Sequence, residues 1–243
     1  MVKFLRTIII LLFFATAGYA QPSADSIAAR AVDVLGAAAW PQARYFAFTL
    51  TVERDGKVIS SFPQKWDRAT GEYRVSGNDP QGRPFDVAMN LNTLTGHATI
   101  DGIQITSPGR LKDLGSRRFT NDIFWLLMPL RMTEHDVHRT YLGERNDSCG
   151  HVWDVLKLTF DKGGLLPGDT YWAWVNHDTG MVEEWDIQLQ GTTDQRPTEV
   201  ILHDYQRFGG LLISTRREIR GTGQTMKIEN LQILPVPPKG AFQ

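Results

Sequence analysis

Cysteine is nearly absent: Cys149 is the only one in 243 residues. No intrachain disulfide can form even in an oxidising compartment, so stability has to come from burial. A surplus of charge is missing too. The formal net charge is −1, which leaves no electrostatic footprint for nucleic acid, and no nucleic-acid partner is expected. The signatures of common enzymes are also lacking. Neither a G-x-S-x-G elbow nor a G-x-x-x-x-G-K phosphate loop occurs, and Gly221-Thr222-Gly223 has no third glycine at the dinucleotide spacing. No cofactor is expected from these absences. Neighbouring carboxylates at Glu183 and Glu184 would face opposite ways on a strand. The polar run Glu134-His135-Asp136-Val137-His138 has two histidines three apart but no H-E-x-x-H, so a solvated turn is expected rather than a metal site. An enzyme is disfavoured, and repeats of 20–50 residues are absent.

One apolar run is present at the N-terminus, MVKFLRTIIILLFFATAGYA. Lys3 and Arg6 precede it, and small residues at Gly18 and Ala20 follow, the order of a secretory signal cleaved between Ala20 and Gln21. A retained anchor is the alternative, but the run is short for a span. No cysteine follows it, which argues against lipid attachment. Loss of the leader takes two of the 26 Lys and Arg against 27 Asp and Glu, leaving a net charge near −3. A periplasmic protein with one domain over residues 21–243 is expected.

Most of what remains alternates with the period of strands. Residues 45–53 place Phe46, Phe48, Leu50 and Val52 on one side, and Asp55-Gly56 turns the chain into 57–66. Further strands are expected at 72–76, 85–91, 96–100 and 103–106, the last two joined by Asp101-Gly102. After residue 130 they resume at 139–144, 151–160, 170–176, 181–190, 198–207, 211–220 and 224–234. Ser23 or Asp25 can cap a first helix over 23–35, with Ile27, Ala31, Val34 and Leu35 on one face and Gly36 ending it. The period breaks again over 108–130, behind the basic lead-in Arg110, Lys112, Arg117 and Arg118. There NDIFWLLMPL, residues 121–130, reads as a helix capped by Thr120 or Asn121, with Asp122 at its positive end and Pro129 as its stop.

A segment apolar all round must be covered on every side. A greasy helix amid strands therefore has to lie on, or plug, a sheet, and Phe124, Leu127 and Met128 are the candidate lid residues. Asp154, on the apolar side of its strand with Leu156, Leu158 and Phe160, needs a partner such as an arginine. In 181–190, Met181, Trp185, Ile187 and Leu189 oppose Val182, Glu184, Asp186 and Gln188. Of the seven tryptophans, five lie between Trp125 and Trp185. Phe46, Phe48, Leu156, Leu158, Trp172, Trp174 and Trp185 are the candidate walls of an apolar site.

In order and spacing the chain resembles the periplasmic lipoprotein carriers, the LolA/LolB-like family. The resemblance runs from about Ile27 to Gly240. It rests on the N-terminal helix, the hairpin ending Lys65-Trp66-Asp67-Arg68, the Asp101-Gly102 hairpin and the mid-chain lid. It continues through Asp178-Thr179-Gly180 and the ending Leu234-Pro235-Val236-Pro237-Pro238-Lys239-Gly240. It implies a mainly β (α+β) fold: an unclosed antiparallel half-barrel of about 11 strands wrapped over an N-terminal helix and a helical lid. It also implies a carrier whose cargo is a lipid or acylated protein, a transient inner- or outer-membrane protein partner, and a monomer. In such carriers an arginine from the early strands holds the lid shut through backbone carbonyls. Arg68 is the nearest positional match and Arg74 the second, though the spacing from Trp66 differs. The alternative is a non-catalytic envelope sensor or interaction module whose helices fill the cavity.

Overall fold

The computed structural model describes residues 22–161, 168–192 and 195–243; the expected leader lies outside them. The first helix, α1 (Ala24–Val34), starts where its cap predicts. The Ser23 hydroxyl accepts from the Ser26 N–H at 3.1 Å, and Asp25 stands in the first turn. Gly36 ends it at φ +85°, with its α-carbon turned onto the Gly210 carbonyl, a place with no room for a side chain. A 3₁₀ turn (Ala37–Gln42) leads into the strands.

Six strands then form a meander in sequence order: β1 (Tyr45–Arg54), β2 (Lys57–Asp67), β3 (Glu72–Asn78), β4 (Pro84–Asn90), β5 (Thr95–Ile100) and β6 (Ile103–Ile105). A second meander follows: β7 (Val137–Asn146), β8 (Val152–Phe160), β9 (Thr170–Asn176), β10 (Val182–Gln188), β11 (Val200–Phe208), β12 (Leu211–Ile219) and β13 (Gln224–Leu234). β1 pairs antiparallel with β13 and joins the two into one sheet of 13 strands, against the 11 or so that the family resemblance implies. The sheet does not close. Its two edges are β6 and β7, which are consecutive in sequence, so the chain between them has to cross the open side of the sheet.

That crossing is the mid-chain helical stretch, and it is longer than expected. It comprises α2 (Pro108–Lys112), a π-helical turn (Asp113–Arg117), α3 (Arg118–Leu127) and a 3₁₀ turn (Met128–Thr133). Ser107 caps it and Pro108 takes the first position, where a missing N–H costs nothing. Thr120 and Asn121 are therefore interior, not caps, and Pro129 sits inside the closing 3₁₀ turn. Asp122 is not a dipole partner either. It is fully buried, accepting from Gln64 Nε2 and Asn121 Nδ2 at 2.8 Å each, with Arg118 at 3.5 Å. Burial pushes its carboxyl up, and Arg118 pulls the other way.

The inner face is covered in three sections. Over β7–β11, α1 lays Ile27, Ala28, Ala31 and Leu35 on Leu156, Leu158, Tyr171 and Trp185, joined by Phe124 and Met128. Leu126 and Leu127 cover Phe46, Phe48, Ile213 and Ile228. Leu111, with Leu114 and Phe119, covers Tyr73, Val87 and Ala98. Each large apolar side chain so buried contributes about 1.5–3 kcal/mol. One face assignment differs from the alternation. A bulge between Val182 and Glu184 turns Val182 inward beside Trp185 and Ile187, where strict period two would put it outside.

Candidate functional site

The helical pieces do not fill the whole concavity. Between the end of α1, the first 3₁₀ turn, β2 and α3 lies an apolar cavity of about 470 Å³. Val32, Ala37 and Trp40 form one side; Trp66 and Phe119 form another; Ile123, Leu127 and Leu130 close it from the helical crossing. Its aromatic wall is a connected set of rings. Trp66 stacks on Phe46 at 5.2 Å and meets the edge of Phe119 at 4.9 Å, and Trp40 lies 6.0 Å from Phe46. The rim is polar: Thr120, Thr133, Arg131 and Glu134. Arg131 Nη2 donates to Glu134 Oε2 at 2.7 Å, so the mouth carries a paired charge rather than a net one.

Of the twelve residues chosen from the sequence, Leu127 alone lines this cavity. Phe124 and Met128 are fully buried on the other side of the helix, Phe124 with its ring 5.2 Å from Tyr171. Leu156, Leu158 and Trp185 are fully buried beneath α1 and Phe124, and Phe46 and Phe48 lie beneath Leu126 and Leu127. Trp172 and Trp174 are not walls at all. They alternate with buried Tyr171, Ala173 and Val175 and so face outward, where Trp174 Nε1 donates to Asp186 Oδ2 at 2.8 Å.

Arg68 does hold backbone carbonyls, those of Ala43 at 2.9 Å and Trp40 at 3.0 Å, with its guanidinium 4.6 Å over the Trp40 ring. It therefore clamps the cavity-lining 3₁₀ turn, not the mid-chain helix. Arg74 pairs with Asp86 at 3.3 Å and reaches the Gln243 carbonyl at 3.0 Å, away from both. Trp40, Trp66, Phe119, Ile123 and Leu130 were not among the candidates. Trp66, Ile123 and Leu130 stand in stretches singled out from the sequence, but nothing local marks a void.

No family model and no curated protein matches this sequence. Among solved structures, a DUF1329 family protein from Desulfovibrio piger is similar over 92% of this chain and 98% of that one, with 16% identity and a TM-score of 0.52. This chain shares that fold. MucB is matched over 89% of this chain and 62% of its own, at 14% identity and a TM-score of 0.32. The Mycobacterium tuberculosis lipoprotein LppX is matched over 87% and 96%, at 12% identity and 0.31.

Two further polar features of the inner face bear on its chemistry. Asp154 is buried and has the arginine partner its position required: Arg30 Nη2 donates to Oδ2 at 2.9 Å and Tyr141 OH to Oδ1 at 2.8 Å. Glu144 and His177 lie close enough to Asp154 to complete a metal-like trio. The Arg30 guanidinium on the central carboxylate makes the group a docking tie for α1 instead, because a cation already occupies it. In the run from Glu134 to His138, Glu134 is held by Arg131, His138 lies 2.8 Å from Asp161, and His135 is exposed. The second feature is a set of three donor nitrogens, on two side chains, without acceptors. Trp185 Nε1, and Nε and Nη1 of Arg217 on β12, are buried with no hydrogen-bond partner among the described residues. Arg217 is 1% exposed, and burial pulls its guanidinium down to about 10.

Proposed function

We propose that this protein binds the alkyl chain of a lipid or of an acylated protein in the cavity under α3, and acts as a carrier or sensor in the bacterial periplasm, with no catalytic role. The observation that carries the reading is the cavity itself: about 470 Å³, aromatic and aliphatic inside and polar only at the rim. Ligand sites generally run from about 300 to 1,000 Å³ with this distribution of polarity. Taking a chain out of a bilayer forfeits about 0.8 kcal/mol per CH₂, so a sixteen-carbon chain needs roughly 12 kcal/mol from its host. A wall of Trp40, Trp66, Phe119, Ile123, Leu127 and Leu130 supplies the kind of surface that can return it. The leader-like N-terminus and the LolA/LolB-like order of elements support the periplasmic setting.

The test is a titration with a neutral single-chain lipid, dodecanol, read by the fluorescence of Trp40 and Trp66. Saturable binding in the wild type, weakened at least tenfold in Ile123→Trp with the fold retained by circular dichroism, is the expected result. No binding of any uncharged ten- to sixteen-carbon chain would remove the proposal. The full burial of Phe124, Met128 and Trp185 favours a second reading, an interaction module whose helices are permanent core. Lipid extraction of protein purified from the periplasm separates the two, since only the carrier brings an alkyl chain with it.

A further inference from the structure

We infer that Arg217 is the subsite for an anionic head group, a carboxylate or phosphate monoester, on the single-chain amphiphile whose tail occupies the cavity. This deepens the alkyl-chain reading and rests on it. The guanidinium rises from the inner face of β12 into a small space enclosed by Leu35, Leu126, Pro129, Leu130, Tyr205 and Ser214. Neither polar neighbour forms a hydrogen bond with Nε or Nη1. The Tyr205 hydroxyl donates to the Val182 carbonyl at 2.7 Å, and the Ser214 hydroxyl lies 2.8 Å from the His203 carbonyl and 3.0 Å from that of Arg216. Nε and Nη1 are left unpaired.

A buried cation with two of its nitrogens unpaired among the described residues is a costly feature for a core to carry. Lowered to about 10, the group still holds its proton at neutral pH. An apolar side chain of similar volume would fit the same place at no such cost. The missing component is thus an acceptor of negative charge, with which an arginine forms short, charge-assisted hydrogen bonds.

The void beside Arg217 is about 10 Å³, room for about one water molecule, so a head group enters only when its wall moves. Leu130 forms that wall, and it lines the 470 Å³ cavity on its other side. One residue in the 3₁₀ turn is therefore common to the walls of the greasy cavity and of the space beside the cation. Displacing it joins the two into a site with an apolar body and a cationic end, the shape of an ionised amphiphile.

The experiment compares dodecanoate, dodecyl phosphate and dodecanol, all below their micelle concentrations, on the wild type, Arg217→Met and Arg110→Gln. Expected is a preference of at least tenfold for one or both anions over the alcohol in the wild type. Arg217→Met should abolish it while dodecanol affinity stays within twofold, and Arg110→Gln, at an exposed position of α2 outside the cavity lining, should keep it. Should Arg217→Met not fold, the Arg217 Nε–H resonance of the wild type gives the same answer, moving on addition of an anion and staying put with dodecanol. Equal affinity for all three chains would overturn the inference, as would a preference that survives Arg217→Met or disappears in Arg110→Gln. Those results leave the alkyl-chain proposal standing. Failure of every chain to bind removes both.

Discussion

At the scale of single residues, the cavity depends on one arginine that closes no lid. Arg68 ties the carbonyls of Trp40 and Ala43, with that of Pro41 at 3.5 Å, and covers the Trp40 ring, so Arg68→Met removes two short hydrogen bonds, a long one and a cation–π contact. The expected loss is about 1–2 kcal/mol, or about 3–6 °C in Tm for a chain of this size, with a red-shifted Trp40 emission. An unchanged melt would show that the turn holds without the clamp. On the outer face, Glu184 is pushed up from 4.5 to about 8, first by burial and then by Asp186, although Arg220 lies 3.2 Å away and pulls the other way. The folded state therefore keeps a proton that the unfolded chain has lost, so stability is greatest below 4.5 and declines as pH rises towards 8. Glu184→Gln should flatten that decline by on the order of 1 kcal/mol or more, seen as converging and then crossing denaturation midpoints between pH 5 and 8; parallel curves would refute it. Trp172 and Trp174 show what a sequence hides at this scale. With aromatics on both faces of 170–176, period two groups the residues correctly but does not say which group faces inward.

At the scale of elements, α1 is fixed by an alanine-lined face and two polar ties, an exposed one from Arg139 to Asp25 at 2.6 Å and the one made by Arg30. Arg30 donates to Asp154 at 2.9 Å and to the His177 carbonyl at 2.8 Å, joining the helix to β8 and the turn after β9. Arg30→Met leaves a buried carboxylate with Tyr141 and the His177 ring, 3.2 Å from Oδ2, a loss of about 2 kcal/mol given how exposed the arginine is; the double variant with Asp154→Asn should lose clearly less than the sum. Strict additivity in urea melts would mean the pair contributes nothing jointly. Both ends of α1 were legible because Ser23 and Gly36 are local signals. The start of the helical crossing was not. Thr120 and Asn121 look like caps, but the chain is already helical from Pro108, and Asp122 is taken by Gln64 and Arg118 from elsewhere in the fold. The cavity was illegible for the same reason. Trp40 and Phe119 come together only when the turn at 37–42 and α3 dock on the same patch of sheet, and no local pattern records a space that two distant elements fail to fill.

At the scale of the whole molecule, the decisive feature is that β6 and β7 are neighbours in sequence and opposite edges in space. The strand pattern was legible throughout, yet only the β1–β13 pairing decides that the crossing must lie inside the curve. That crossing packs against both meanders: Phe124 and Met128 on one, Leu111 and Phe119 on the other, Leu126 and Leu127 over the seam between them. A ligand under α3 should accordingly stabilise the entire fold and not a local flap. Dodecanol at about a hundred times its Kd adds about 2.7 kcal/mol, which raises Tm by about 5–10 °C. The far-ultraviolet signal of the sheet and the near-ultraviolet signal of the tryptophans should shift together, because crossing and sheet share one core. If the tryptophan signal alone moved while the sheet melted at its original temperature, the helical crossing would be a separately folding lid, and a chain bound beneath it could be released without disturbing the 13 strands. Coincident shifts instead mean that release requires Leu126–Leu130 to leave the seam between the meanders, at a cost that the receiving membrane or partner has to offset.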